Sequence, residues 1–79
     1  MGAGKPDWRY SSRVTIIVNG QPLQLPEGAS VRALIEHLGL ARAATAAEVN
    51  ASLVPRREQE RTTLREGDKV EVVTLVGGG

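Results

Sequence analysis

Asn19-Gly20 lies between two strand-like runs, Val14-Thr15-Ile16-Ile17-Val18 and Gln21-Pro22-Leu23-Gln24-Leu25. A tight two-residue turn of type I′ needs positive φ at both central positions, and Asn-Gly meets that demand at the least steric cost. Two such runs separated by these two residues therefore predict a β-hairpin. Pro22 has no N–H to give to a ladder, which makes the second strand an edge strand. A hairpin alone is marginal in water, so this one needs a cover.

The next segment supplies it. Pro26-Glu27-Gly28-Ala29 reads as a turn and Ser30 as a helix N-cap. Val31, Leu34, Ile35 and Leu38 follow at i, i+3, i+4 and i+7, one apolar stripe, and Gly39 marks the C-terminal stop. Burying those four side chains is worth roughly 6–12 kcal/mol before entropy, comparable with the whole net stability of a small domain. The helix is thus expected to lie across the hairpin. His37, the one histidine, sits at the margin of the stripe with no second ligand at metal-binding spacing, and reads as a surface or boundary residue.

Residues 40–47 are Ala-rich and fit either a short helical turn or a loop. Ala47-Glu48-Val49-Asn50 and Ser52-Leu53-Val54 read as two short strands around an Asn50-Ala51 turn, with Pro55 ending the second. Arg56 to Arg61 mixes both signs of charge and is expected to be a solvated surface loop. Glu66-Gly67-Asp68 turns the chain into a last strand that begins at Lys69 and runs through Val70-Glu71-Val72-Val73-Thr74-Leu75-Val76 into Gly77-Gly78-Gly79. That strand is apolar enough to be central.

The element order predicts an α+β fold, a ubiquitin-like β-grasp roll: a mixed sheet of four to five strands, one main helix on one face, and a flexible glycine tail. Residues 1–13 are expected to be a flexible extension, 14–76 the β-grasp domain, and 77–79 a reactive tail. Period-2 alternation puts Ile16, Val18, Val70 and Val72 under the helix and Ile17, Val73 and Leu75 on the opposite face, where with Val76 they form a candidate partner-docking patch. The three glycines carry no side chain. Extended, the four residues from Val76 to Gly79 span roughly 13 Å, enough to present the Gly79 carboxylate at another protein's active site.

Composition narrows the chemistry further. The 79 residues hold no cysteine and one histidine, which excludes a disulfide framework, a thiolate metal site and a cysteine nucleophile; no metal site is expected. A net charge of +1 built from interspersed signs argues against nucleic-acid binding. No apolar run approaches the length of a membrane span and no signal peptide opens the chain, so no membrane association and a cytoplasmic location are expected. The N-terminal extension holds Trp8 and Tyr10, the only Trp and Tyr, for which a loose contact with the domain is expected.

Val18-Asn19-Gly20, Val49-Asn50 followed by Val54-Pro55-Arg56, Glu66-Gly67-Asp68-Lys69-Val70-Glu71-Val72-Val73 and the Val-Gly-Gly-Gly end together resemble the ThiS family, the small sulfur carriers of bacterial thiamin biosynthesis, over about residues 14–79. Two features depart from the family: Ala51 stands where a Gly or polar residue is usual, and the N-terminal extension has no counterpart in the shortest members. The resemblance implies that the Gly79 carboxylate is adenylated by a ThiF-type enzyme, which uses ATP and Mg²⁺, while the carrier itself binds no cofactor. A sulfur-donor protein then supplies the sulfur of a C-terminal thiocarboxylate, and a ThiG-type thiazole synthase receives it. Gly77 and Gly78 would thread the tail.

The residues fit that chemistry. A carboxylate is a poor electrophile, and an acyl-adenylate gives it a good leaving group. This chain has no constellation of cationic groups to stabilise phosphoryl transfer, so a partner must supply it. Three alternatives use the same features: the small subunit of molybdopterin synthase, which also ends in Gly-Gly; a ubiquitin-like modifier forming isopeptide bonds; and a non-reacting β-grasp interaction domain. The Val-Asn-Gly, Val-Pro-Arg and Val-Gly-Gly-Gly pattern suits ThiS best. An enzyme in its own right is disfavoured, because no catalytic grouping is evident and the chain is too small to enclose a pocket of the usual size.

Overall fold

A computed structural model describes residues 12–75. The extension up to Ser11 and the tail from Val76 to Gly79 lie outside the described residues, and so do Trp8 and Tyr10. The elements are β1 (Arg13–Val18), β2 (Gln21–Pro26), α1 (Val31–His37), β3 (Thr45–Val49), β4 (Ser52–Val54), a 3₁₀ turn at Arg56–Glu58, and β5 (Lys69–Thr74). They form one mixed five-stranded sheet in the order β2-β1-β5-β3-β4. β1 and β5 are parallel and the other neighbours antiparallel. Pro22 lies on the outermost strand, as the missing N–H requires. The last strand is the middle one.

Local chemistry fixes each boundary. Asn19 (φ 51°) and Gly20 (φ 86°) both take the left-handed conformation that a type I′ hairpin needs. At the start of α1 every early N–H finds a partner: Val31 donates to the Thr62 carbonyl at 2.9 Å, Arg32 to that of Gln59 at 3.0 Å, and Ala33 to Ser30 Oγ at 3.0 Å. The other end closes as a Schellman motif. Gly39, at φ 78°, donates to Glu36 and Leu40 reaches back to Ile35, both at 3.0 Å.

One face of the sheet carries the core. Ile16, Val18, Val70 and Val72 are buried beneath Val31, Leu34 and Ile35, with Leu25, Ala47, Val54 and Leu64 around them. Leu38 departs from the expected stripe: it is the C-cap residue and is 37% exposed. The helix ends before its fourth apolar residue can turn inward. Strand β3 starts at Thr45, two residues earlier than the β-propensity of the Ala-rich stretch suggested, because β5 is there to pair with it at Thr45↔Thr74. The charged stretch after Pro55 is not all solvated. It packs against the start of α1, with Gln59 buried and Leu64 in the core.

Candidate functional site

The site is the end of β5, from which the chain continues into the glycine tail. Residues facing the core alternate with Lys69, Glu71 and Val73 on the open face of the sheet. Val73 and Leu75 are each 53% exposed, and Leu53 on β4 is 64% exposed. Together they give the open face its apolar character. Between Leu53 on β4 and the open face of β5 lies the Glu48 carboxylate on β3, opposite Leu53 across β3–β4 and opposite Glu71 across β3–β5.

Of the docking residues expected from alternation, the fold brings Val73 and Leu75 together at this end, beside Ala46 and Ala44: Val73 pairs with Ala46, and the Leu75 N–H donates to the Ala44 carbonyl at 2.8 Å. Ile17 lies on the same open side and is half-buried, but its β5 neighbour is Lys69. Four residues separate that position from Val73, about 13 Å at strand rise. Val76, Gly77, Gly78 and Gly79 lie outside the described residues. Among the described residues no three His, Cys, Asp or Glu side chains come together as a metal site, and no helix is long and apolar enough to cross a membrane.

The end of β5 is held by a residue whose function is not legible locally. β1 leaves the sheet at the hairpin turn, after Val18 has paired with Val70. The Asn19 carboxamide takes over where the strand stops: Oδ1 accepts from the Val72 N–H at 2.9 Å and Nδ2 donates to the Val72 carbonyl at 3.0 Å. One side chain thus imitates one more residue of β1, and β5 stays clamped on both sides up to Val72. A second asparagine repeats the device. Asn50 Oδ1 accepts from Lys69 N at 3.0 Å and its Nδ2 donates to Asp68 Oδ1 at 3.0 Å, locking the turn that leads into β5. The sequence marks both asparagines only as turn formers, because their partners are 53 and 18 residues away.

The model of the ThiS family matches residues 9–79, the whole described fold and the tail. The chain belongs to the ThiS family. The Escherichia coli sulfur carrier protein ThiS is 30% identical over 64 residues, 81% of this chain and 97% of that protein. The crystal structure of the thiamine biosynthesis protein ThiS from Geobacter metallireducens superposes with a TM-score of 0.70 at 32% identity, covering 84% of this chain and all of that one. A thiazole synthase of Paramagnetospirillum magneticum is 31% identical over 64 residues, which make up 81% of this chain but only 20% of that protein. The β-grasp architecture is therefore that of the ThiS carriers. ThiS-family members are small sulfur carriers rather than catalysts.

Proposed function

We propose that this chain carries sulfur for thiazole formation in thiamin biosynthesis, with the Gly79 carboxylate as the carrying group. The observation that bears most weight is the family match running unbroken through β5 into Val-Gly-Gly-Gly. A ThiF-type enzyme joins the carboxylate to the AMP moiety of Mg-ATP and releases pyrophosphate. Sulfur from a donor protein then displaces AMP at the same carbonyl carbon, and the resulting thiocarboxylate supplies a ThiG-type thiazole synthase.

The carrier's part is presentation. Asn19 and Asn50 fix β5, Val73 and Leu75 offer partners an apolar surface next to the exit, and residues without a Cβ pass a narrow channel. Thiamin rather than molybdopterin is favoured by the thiazole synthase relative, in which a stretch similar to this chain occupies one fifth of the polypeptide. Carrier-like sequence and synthase are joined there.

The test is an intact mass after incubation with a ThiF-type enzyme, Mg-ATP and a sulfur source, beside a form lacking Gly79. The expected result is a gain equal to the exchange of one oxygen for sulfur, absent from the deletion. Gly78→Ala should keep the fold and strongly reduce adenylation. No mass gain with an enzyme proven on another carrier would refute the proposal, and unchanged adenylation of folded Gly78→Ala would refute the threading role.

A further inference from the structure

Away from the open face, a surface groove of about 600 Å³ is lined by Arg32, Arg56, Arg57, Gln59 and Glu60. Its floor is unusual. Gln59 is 2% exposed, the one polar residue among the buried described residues. Its main chain is fully used: the N–H donates to the Arg56 carbonyl at 3.1 Å and the C=O accepts from the Arg32 N–H at 3.0 Å. Its carboxamide is not. No hydrogen bond to it is found among the described residues, yet neither polar atom is sealed off without a partner, so the amide tip meets the groove. The amide is therefore open to the groove rather than sealed in the core, at a position where a residue wanted only for its volume would be Leu or Met.

The walls supply charge. Arg32 is fixed by Glu36 at 3.3 Å and by the Ala41 carbonyl at 3.5 Å. Arg56 and Arg57 have no side-chain partner among the described residues. A guanidinium presents a planar fork of donors suited to carboxylate and phosphate oxygens. Glu60 on the rim opposes an anion and tempers the site without cancelling both arginines. The volume falls in the range of small-molecule sites.

We infer that this groove binds a small oxyanion through phosphate or carboxylate oxygens, with the Gln59 amide donating from the floor and Arg56 and Arg57 supplying the charge. The site is separate from the tail chemistry and stands whether or not the carrier reading does.

The experiment is a ¹⁵N NMR titration of the full chain with sodium phosphate and, separately, sodium acetate, against sodium chloride at matched ionic strength. Phosphate or acetate should shift the Gln59 side-chain NH₂ and the Arg57 resonances saturably, in the millimolar range expected of a few charge-assisted contacts, while Leu53 and Val73 stay still. Saturation by one salt alone identifies which oxyanion the site takes. The Arg56→Gln/Arg57→Gln double variant should weaken binding at least about tenfold, and Glu60→Gln should tighten it. Gln59→Leu should abolish the saturable response while its urea midpoint equals or exceeds the parent's. A response no different from chloride, or Gln59→Leu binding like the parent, overturns the assignment. So does a clear fall in the Gln59→Leu midpoint, since the amide would then be structural.

Discussion

Replacing Asn19 by glycine isolates the clamp on β5. Glycine takes the residue's φ of 51° without strain, so the turn survives and only the carboxamide is lost. The two hydrogen bonds to Val72, at 2.9 and 3.0 Å, are part-buried and span 53 residues of chain. At about 0.5–1.5 kcal/mol net for each, their loss costs roughly 1–3 kcal/mol. The added backbone freedom of glycine in the unfolded chain contributes up to about 1 kcal/mol more. A central value near 2 kcal/mol lowers the urea midpoint by roughly 1–2 M for m of about 1–2 kcal/mol per M. Because the bonds are local to β5, hydrogen exchange at the Val72 amide should also quicken more than at Val70, which retains its place in the β1–β5 register. Asn19→Asp sharpens the test: it can still accept from the Val72 N–H, but it turns a carboxylate oxygen toward the Val72 carbonyl, so it should fall below the parent. A midpoint for Asn19→Gly within about 0.3 M of the parent, at unchanged m, would refute the view that this side chain completes the sheet.

Three further outcomes follow from particular residues. Ala51 is exposed and sits at φ 72°, in a region that costs a non-glycine residue roughly 1–2 kcal/mol, so Ala51→Gly should stabilise by about 0.5–1 kcal/mol net of glycine's entropy and raise Tm by a few degrees in a thermal scan. Leu64, 1% exposed, belongs to the core although it lies in a polar stretch; Leu64→Ala should cost about 2–5 kcal/mol in urea denaturation, whereas a surface residue would cost almost nothing. Leu75→Glu should change stability by less than about 0.5 kcal/mol in urea denaturation, because the residue is 53% exposed, yet, on the proposed function, slow thiocarboxylate formation with a ThiF-type enzyme; a normal rate would remove Leu75 from the proposed docking surface.

What could be read along the chain was whatever depends on neighbours a few residues apart. Asn19-Gly20 declares its turn, Ser30 its cap and Gly39 its stop, because those demands are set by local φ/ψ and by unpaired helix ends. Alternation places Ile16 and Val18 under the helix with Val73 and Leu75 opposite, because a strand's side-chain period is 2 whatever it pairs with. The glycine run after Val76 is plain in the sequence too, and the carrying role proposed for it rests on residues that have no side chains.

Pairing across the chain is another matter. Only the assembled sheet decides that β3 begins at Thr45, because the partner making those residues a strand, Thr74 and its neighbours, is nearly thirty positions away. The Asn19–Val72 clamp, the separation of Ile17 from Val73 along β5, and the burial of Gln59 in a charged stretch are likewise products of packing. A polar side chain takes its role from the groups brought opposite it, and for these residues the groups arrive from distant elements.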